Sequence, residues 1–189
     1  MLVPFLQRDE REEQIKAFAG GSGMDIFYYW QKLEQNLRDG QVGYFGSNNT
    51  KILGLKDRLP KRVWVFKTPR GMKGSVQLLG SLLVSDEPKV AVNSEYSHLL
   101  YYDPFSPQST MFTDSETRER IEGVTRLLQH RLLHAFKSNF QGDAGLQALE
   151  SNVVRELEAM TADWEKVQML ARVKDRRKVQ PINPFAQSR

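Results

Sequence analysis

Cysteine is absent from the chain, and histidine is scarce, with three residues. The absence of cysteine excludes disulfide bonds, cysteine-ligated zinc sites and cysteine nucleophiles together. His130 and His134 stand one helical turn apart, but no glutamate follows His130 to complete a metal-binding motif. The sequence therefore predicts no metal site and no cofactor.

Long apolar runs are missing as well. No stretch approaches the ~18 consecutive apolar residues of a membrane-spanning helix, so we expect no membrane partner. The N-terminal residues 1–14, MLVPFLQRDEREEQ, lack the basic start and long apolar segment of a secretory signal. We therefore predict a cytoplasmic protein.

Two common catalytic motifs, the phosphate-binding P-loop and the G-x-S-x-G elbow of hydrolases, are also absent. The catalytic alternative is Asp86-Glu87-Pro88-Lys89, whose Glu-x-Lys is similar to the second half of a nuclease metal site. There Asp86 and Glu87 would hold Mg²⁺ and Lys89 would orient the attacking water. Because Pro88 is unusual inside a central strand, we rank an enzyme below a binding protein.

The 189 residues include 10 Phe, 3 Trp and 6 Tyr, enough aromatic side chains for the core of one domain. Pattern and composition predict an α+β fold, with a β-rich part followed by an α-helical hairpin. The predicted division is a mobile N-terminal arm at 1–23, a β-rich domain at 24–113, a helical hairpin at 114–172 and a basic disordered tail at 173–189.

The net charge of +4 is unevenly distributed along the chain. Residues 51–73 hold eight basic residues and one acidic residue, and residues 172–189 hold six and one. The rest of the chain is acidic. Clustered basic charge on an acidic body indicates an anionic partner.

Periodicity predicts the secondary structure of residues 25–112. Ile26, Trp30, Leu33 and Leu37 recur at helical spacing, which predicts a helix that Asp25 caps and that ends at residues 39–40. Strands are predicted at 41–45, 63–66, 75–84, 90–92, 98–102 and 110–112, with a bend of the long strand at Gly80.

The pattern becomes helical after residue 113. A capping box at 113–116 predicts a helix to about Phe140, and an apolar stripe from Leu146 to about Ala171 predicts a second, antiparallel helix. Apolar side chains near its end, Met160, Trp164 and Met169, either form an interface with a protein partner or a second copy of the chain, or pack within the monomer.

The segment 51–73, KILGLKDRLPKRVWVFKTPRGMK, carries the strongest functional signal. Lysine and arginine neutralise phosphates, and aromatic faces stack on unpaired bases. Trp64 and Phe66 share one strand face by alternation. Either they face a ligand or they belong to the core. The predicted nucleic-acid contacts are Lys51, Lys61, Arg62, Lys67, Arg70 and Lys73.

Residues 38–47, RDGQVGYFGS, resemble the GD-x-V-x-F-Y-x-S strand of the EVE and ASCH branch of the PUA-like superfamily. Residues 76–84, VQLLGSLLV, are similar to a later barrel strand of that family. The resemblance covers residues 25–112 and departs from the family in the basic insertion at 51–62 and the helical C-terminal third. It implies a small curved β-barrel with flanking helices that binds RNA or modified DNA, in some members by enclosing an extruded base.

Carried onto this chain, the resemblance implies a base pocket near the matching strand and the turn after it. Trp64 and Phe66 would form one wall. A second aromatic cluster, Tyr96, Tyr101, Tyr102 and Phe105, either supplies the opposite wall or anchors the end of a strand through a tyrosine hydroxyl. One of Tyr101 and Tyr102 is expected in the core, since neighbours in a strand face opposite sides. The full set is Tyr44, Ser47, Asn48, Asn49, Trp64, Phe66, Tyr101 and Tyr102.

These observations predict a nucleic-acid-binding module that reads a modified or extruded base. Its expected setting, a bacterial or phage defence or nucleic-acid-processing complex, is implied by the resemblance alone. The alternatives are the Mg²⁺-dependent nuclease and a scaffold subunit whose helical hairpin joins a larger assembly.

Overall fold

The computed structural model describes residues 24–182, so the predicted arm at 1–23 and the end of the tail at 183–189 lie outside it. Within this range the chain is a mixed α+β fold. Its strands are β1 (Asp25–Tyr29), β2 (Tyr44–Ser47), β3 (Arg62–Lys67), β4 (Gln77–Ser85), β5 (His98–Tyr102), β6 (Thr110–Phe112), β7 (Leu146–Leu149) and β8 (Lys166–Gln168). Its α-helices are α1 (Leu33–Asp39), α2 (Lys51–Lys56), α3 (Arg118–Gln129), α4 (Leu133–Lys137) and α5 (Ser151–Met160).

The strands form one sheet that curls into a half-barrel, in the order β2-β5-β4-β3-β1-β7. β1 runs parallel to β3 and antiparallel to β7. β6 pairs with β4 beside this path and carries β8 on its other side. β2 and β7 are therefore the two ends of the main path, and each has one edge without a strand partner among residues 24–182.

The prediction of a helix from Asp25 was wrong, because residues 25–29 form the strand β1. β1 lies between β3 and β7 in the sheet. Ile26 and Phe27 face opposite sides of the strand and are both buried, so apolar residues occur on both of its faces. Such a run has no two-residue alternation to separate it from a buried helix. The helical pattern is real only for Leu33 and Leu37 of α1, which ends as predicted at Gly40 with φ +71°.

The strand predictions at 63–66, 98–102 and 110–112 are confirmed, and the one at 41–45 is shifted to Tyr44–Ser47. β4 is as long as predicted, and its register against β3 shifts between Val65 and Phe66, next to Gly80. Residues 90–92 do not form a strand, since only Val90 makes an isolated bridge, to Pro181.

Both faces of the central sheet are buried, by different parts of the chain. Val63 and Val65 pack into an inner cluster with Phe45, Leu100 and the apolar side chains of α1 and α2. Trp64 and Phe66 do share a face, as alternation predicts, but α3, α4 and α5 cover that face. Trp64 is 2% exposed and Phe66 is fully buried, so both belong to the core.

The predicted helical hairpin is not confirmed. Residues 146–149 form β7, which pairs with β1, and 166–168 form β8, which pairs with β6; between them only α5 is helical. The apolar stripe is buried as expected, but strands and a short helix bury it. The backbone of β1 needs a hydrogen-bonding neighbour on its second edge, and β7 satisfies that need better than a longer helix would.

The predicted partner interface was wrong for two of its three residues. Trp164 packs edge-on against Phe112, with ring centroids 5.1 Å apart, and Met169 is fully buried. Met160 is half-buried at the end of α5. These side chains fill the core of their own chain instead of a surface for another.

The described part of the predicted disordered tail is docked on the fold. Val173 and Val179 are buried in the inner cluster, and the Ile182 amide donates to the carbonyl oxygen of Lys89. The charged residues between them stay on the surface. The basic composition predicted disorder, because composition does not show that two valines among the charged residues are buried in the core.

A buried ionic cluster holds the start of β1. Asp25 is 2% exposed, and its carboxylate accepts a hydrogen bond from Trp64 Nε1 at 2.7 Å and another from the Arg62 amide. The Arg62 guanidinium lies 3.2 Å from the same carboxylate and also pairs with Glu158 of α5. Asp25 thus ties β1 to β3, and Arg62 ties both strands to α5.

We predict that Asp25→Ala lowers the free energy of unfolding by about 3 kcal/mol, because it leaves the Trp64 N–H and part of Arg62 unpaired in the core. Urea unfolding measures this as a lower midpoint at an unchanged slope. Asp39→Ala is the matched control, since Asp39 pairs only with the exposed Arg38; its effect should stay within about 0.5 kcal/mol. Equal losses in the two variants would contradict the role of Asp25.

Candidate functional site

A cleft of about 810 Å³ lies between the two unpaired edges of the sheet. β2 lines one side with Tyr44–Ser47, and Leu146 at the start of β7 lines the other. The end of β1, from Tyr28 to Trp30, forms the floor between them. The cleft is thus the seam of a half-barrel that does not close.

Stacked rings fix the floor of the cleft. The Tyr28 ring stacks on Phe45 with centroids 3.9 Å apart, and the Tyr29 ring stacks on Phe140 at 4.9 Å. Burial raises the pKa of the Tyr28 phenol, and the nearby Tyr96 adds to the effect. Tyr28 therefore stays protonated at neutral pH and keeps a hydroxyl proton that it can donate.

A chain of hydrogen bonds orients two amide side chains in the cleft. Trp30 Nε1 donates to Asn36 Oδ1 at 2.9 Å, and Asn36 Nδ2 donates to Gln41 Oε1 at 3.0 Å. An indole N–H can only donate, so it fixes the orientation of both amides in turn. The Gln41 Nε2 group at the end of the chain is left as a donor, and Gln41 lines the cleft.

Residues 93–97 form a flap beside β2. The Tyr44 hydroxyl donates to the carbonyl oxygen of Asn93 at 2.7 Å, and the Ser97 amide donates to Asn48 Oδ1 at 3.1 Å. These two contacts lie near the ends of the flap. Residues 93–96 also line the cleft, so the flap forms its outer wall.

The Tyr96 ring lies directly on Gly46 of β2. A Cβ atom at Gly46 would overlap the ring, so glycine is the residue that lets Tyr96 approach the strand this closely. Tyr96 is 45% exposed although it lines the cleft. It is therefore an aromatic face that the fold positions but does not bury.

The cleft is nearly neutral. Its cations are Lys32 and Lys51, and its acids are Glu95 and Asp143. Lys51 Nζ donates to the Asp143 carbonyl oxygen at 3.0 Å. Partial burial lowers the pKa of Lys51, and the charge of Asp143 opposes this effect. A neutral cleft lined with amides and aromatic rings suits a neutral planar ligand better than an isolated anion.

The structure brings half of the predicted base pocket together. Tyr44, Ser47, Asn48 and Asn49 all line the cleft, and so does Lys51 from the predicted phosphate contacts. Tyr101 stands beside Tyr44 on the neighbouring strand, outside the lining, with Lys56 Nζ 5.4 Å from its ring centroid.

Three predicted pocket residues belong to the core instead. Trp64, Phe66 and Tyr102 are each 2% exposed or less, so none of them can stack on a base in this structure. Tyr101 and Tyr102 do face opposite sides of β5, as predicted, with Tyr102 buried. The aromatic residues that line the cleft come from β1, β2 and the flap, and none of them comes from β3.

β3 divides the basic segment between two ends of the sheet. Its six residues span about 17 Å, with Lys61 and Arg62 at the start and Lys67 at the end. Arg62 is occupied by Asp25 and Glu158, which makes it a structural residue, and Lys67 lies 3.6 Å from Glu34. Arg70 and Lys73 are exposed in the loop after β3.

The nuclease alternative gains no support from the described residues. Asp86, Glu87 and Lys89 line one shallow pocket of about 400 Å³ with Asp103. Across residues 24–182, however, no three histidine or acidic side chains are placed to hold a metal ion. No helix in the same range is long and apolar enough to cross a membrane.

The sequence did not reveal several residues that line the cleft, above all Tyr28, Trp30, Asn36 and Gln41. Tyr28 and Trp30 were assigned to a helix, which hid their position at the end of a strand. One signal was available: asparagine and glutamine are frequent between residues 31 and 49. Tyr96 belongs to the aromatic cluster that the sequence shows, but its place on Gly46 depends on a contact between residues 50 positions apart in the chain.

No protein-family model, curated protein or solved structure matches the chain. The PUA-like resemblance therefore stays a prediction.

We predict that Gly46→Ala displaces Tyr96 and loosens the flap. The φ of Gly46 suits any residue, so the overlap of the new Cβ with the Tyr96 ring is the main effect. Amide hydrogen exchange at Ser97 should accelerate about tenfold, equivalent to ~1.4 kcal/mol of local stability.

Gly54→Ala is the matched control, since a Cβ there meets nothing within 4 Å. It lies in α2 and should stabilise the helix by up to ~1 kcal/mol while leaving Ser97 exchange unchanged. Unchanged exchange at Ser97 in Gly46→Ala would show that the flap does not depend on this contact.

Proposed function

We propose that the chain is a nucleic-acid-binding module that holds one unpaired or extruded base in the cleft and keeps the phosphates outside it. The observation that carries the proposal is the lining: oriented amide groups and an exposed aromatic face in a nearly neutral cleft. Bases are planar and uncharged, and they are recognised by hydrogen bonds at their edges and by stacking on their faces.

The cleft supplies both kinds of contact. The Trp30–Asn36–Gln41 chain presents the Gln41 Nε2 donor in a fixed orientation. Tyr96 offers its ring for stacking, held in place by the backbone at Gly46. Because these groups are positioned before a ligand arrives, binding loses little side-chain entropy.

We expect the phosphates on either side of a bound base to contact Arg70 and Lys73, in the loop after β3. β1 and β3 are parallel, so their C-terminal ends lie side by side at one end of the sheet. Tyr28, Tyr29 and Trp30 line the cleft at that end, and the loop with Arg70 and Lys73 begins there. This loop supports phosphate contacts. Arg58 and Lys61 directly precede β3 and lie near the opposite end of that strand, whereas Lys51, earlier in the segment, lines the cleft.

We expect Tyr96→Ala to weaken binding of a single-stranded oligonucleotide about tenfold, since stacking on an aromatic side chain contributes ~1–3 kcal/mol per base. Fluorescence anisotropy with a labelled oligonucleotide measures the loss. The same strand without bases should bind the unaltered protein and Tyr96→Ala with equal affinity. Tyr101→Ala is the control, because Tyr101 lies on the next strand but outside the lining. A loss in Tyr101→Ala and none in Tyr96→Ala would place the base elsewhere.

A salt series tests the phosphate contacts. Replacing Lys67, Arg70 and Lys73 together by alanine should reduce the slope of log affinity against log salt by about 2, near 0.7 for each lost contact with a single strand. Arg58→Ala with Lys61→Ala removes two cations of the same sequence segment before β3 and should leave the slope unchanged. A flat salt dependence of the unaltered protein would refute nucleic-acid binding.

A further inference from the structure

The segment Arg172–Lys178 concentrates charge on a fixed piece of backbone. It holds five basic residues and one acid, and all five basic residues are exposed. The acid, Asp175, is engaged by Arg177, with Nε at 2.9 Å and Nη2 at 3.2 Å from its oxygens. The remaining cations have no acidic partner within the segment: Arg172, Lys174, Arg176 and Lys178.

The fold anchors this segment at several points. Val173 is 4% exposed and Val179 is 7% exposed, so a buried side chain stands near each end. The Lys174 amide donates to the Leu37 carbonyl oxygen, and a Cβ at Gly40 would lie 2.7 Å from the Lys178 Cβ. Between these anchors Arg176–Lys178 form one turn of 3-10 helix. The charges are therefore presented by ordered backbone.

The anchors place the segment against the wall of the cleft. Its partners, Leu37 and Gly40, belong to the last turn of α1, and the residues beside them, Asn36 and Gln41, line the cleft. One side of this turn thus faces the cleft and the other carries the basic segment. The loop with Arg70 and Lys73 begins at the C-terminal end of β3. This loop and the segment Arg172–Lys178 therefore approach the cleft from different parts of the fold.

We propose that Arg172–Lys178 is a second phosphate-binding surface, which holds the sugar-phosphate backbone of the strand whose base enters the cleft. This inference extends the proposed function to a separate surface. A phosphodiester backbone fits because the exposed side chains are cationic and the apolar ones, Val173 and Val179, point inward. No apolar side chain is left on the segment to enter a lipid bilayer, as an interfacial membrane anchor requires.

The test replaces Lys174, Arg176 and Lys178 by glutamine in the full chain, which keeps every Cβ and the Val173 and Val179 anchors. The probe is a labelled single strand of deoxyribose phosphate without bases, titrated across a salt series. Loss of three phosphate contacts should reduce the slope of log affinity against log salt by about 2. The control replaces Arg118, Arg126 and Arg155 by glutamine, the same change of charge on exposed positions of α3 and α5, and should leave the slope unchanged.

The outcomes separate this inference from the proposed function. In one outcome, the segment variant shows a smaller slope of log affinity against log salt on the base-free strand, while Tyr96→Ala does not change binding of the base-containing strand. That outcome supports the phosphate surface and refutes binding of a base in the cleft. Equal slopes for the segment variant and the unaltered protein overturn the phosphate surface, whatever the cleft does. It is also overturned if the unaltered protein does not bind the base-free strand at low salt, or if vesicles with anionic lipid bind and the strand does not.

Discussion

The buried carboxylate of Asp25 sets the register on which the site depends. It accepts hydrogen bonds from the Trp64 indole and the Arg62 amide, so β1 aligns with β3 as Phe27 beside Trp64. A slip of one residue would move every side chain of β1 to the other face of the sheet and leave the carboxylate without its partners. Tyr28 faces the cleft because Asp25, at the other end of the strand, is held in place.

The open seam of the half-barrel accounts for the character of the cleft. Edge strands expose backbone groups that need polar partners or a cover. In this fold the flap covers β2, with Tyr96 on Gly46. The Tyr44 hydroxyl donates to the flap, and the Ser97 amide of the flap donates to Asn48. The same polar groups that make an open edge tolerable also make the cleft suitable for a base. The residues that cover the open edge of β2 are therefore the same ones that we propose recognise a base.

Charge that is contiguous in the sequence is separated in the fold, and distant charge comes near a single site. Lys61 and Lys67 lie at opposite ends of β3, and Arg62 between them pairs with the buried Asp25. The C-terminal segment, about 100 residues later, docks against α1 beside the cleft wall. The net charge of a sequence segment is therefore a poor guide to the surface that carries the charge.

The sequence by itself determined the features that depend on near neighbours. These include the αL end of α1 at Gly40, the alternation of β3 and the placement of Tyr44 and residues 47–49 around a polar turn. Tertiary structure decided whether the apolar runs at 25–29 and 146–149 became helix or strand, which aromatic side chains were buried, and where Tyr96 lies. The physical reason is that these outcomes depend on hydrogen-bonding and packing partners far away in the chain, whereas a local pattern records only that a residue is apolar and must be covered.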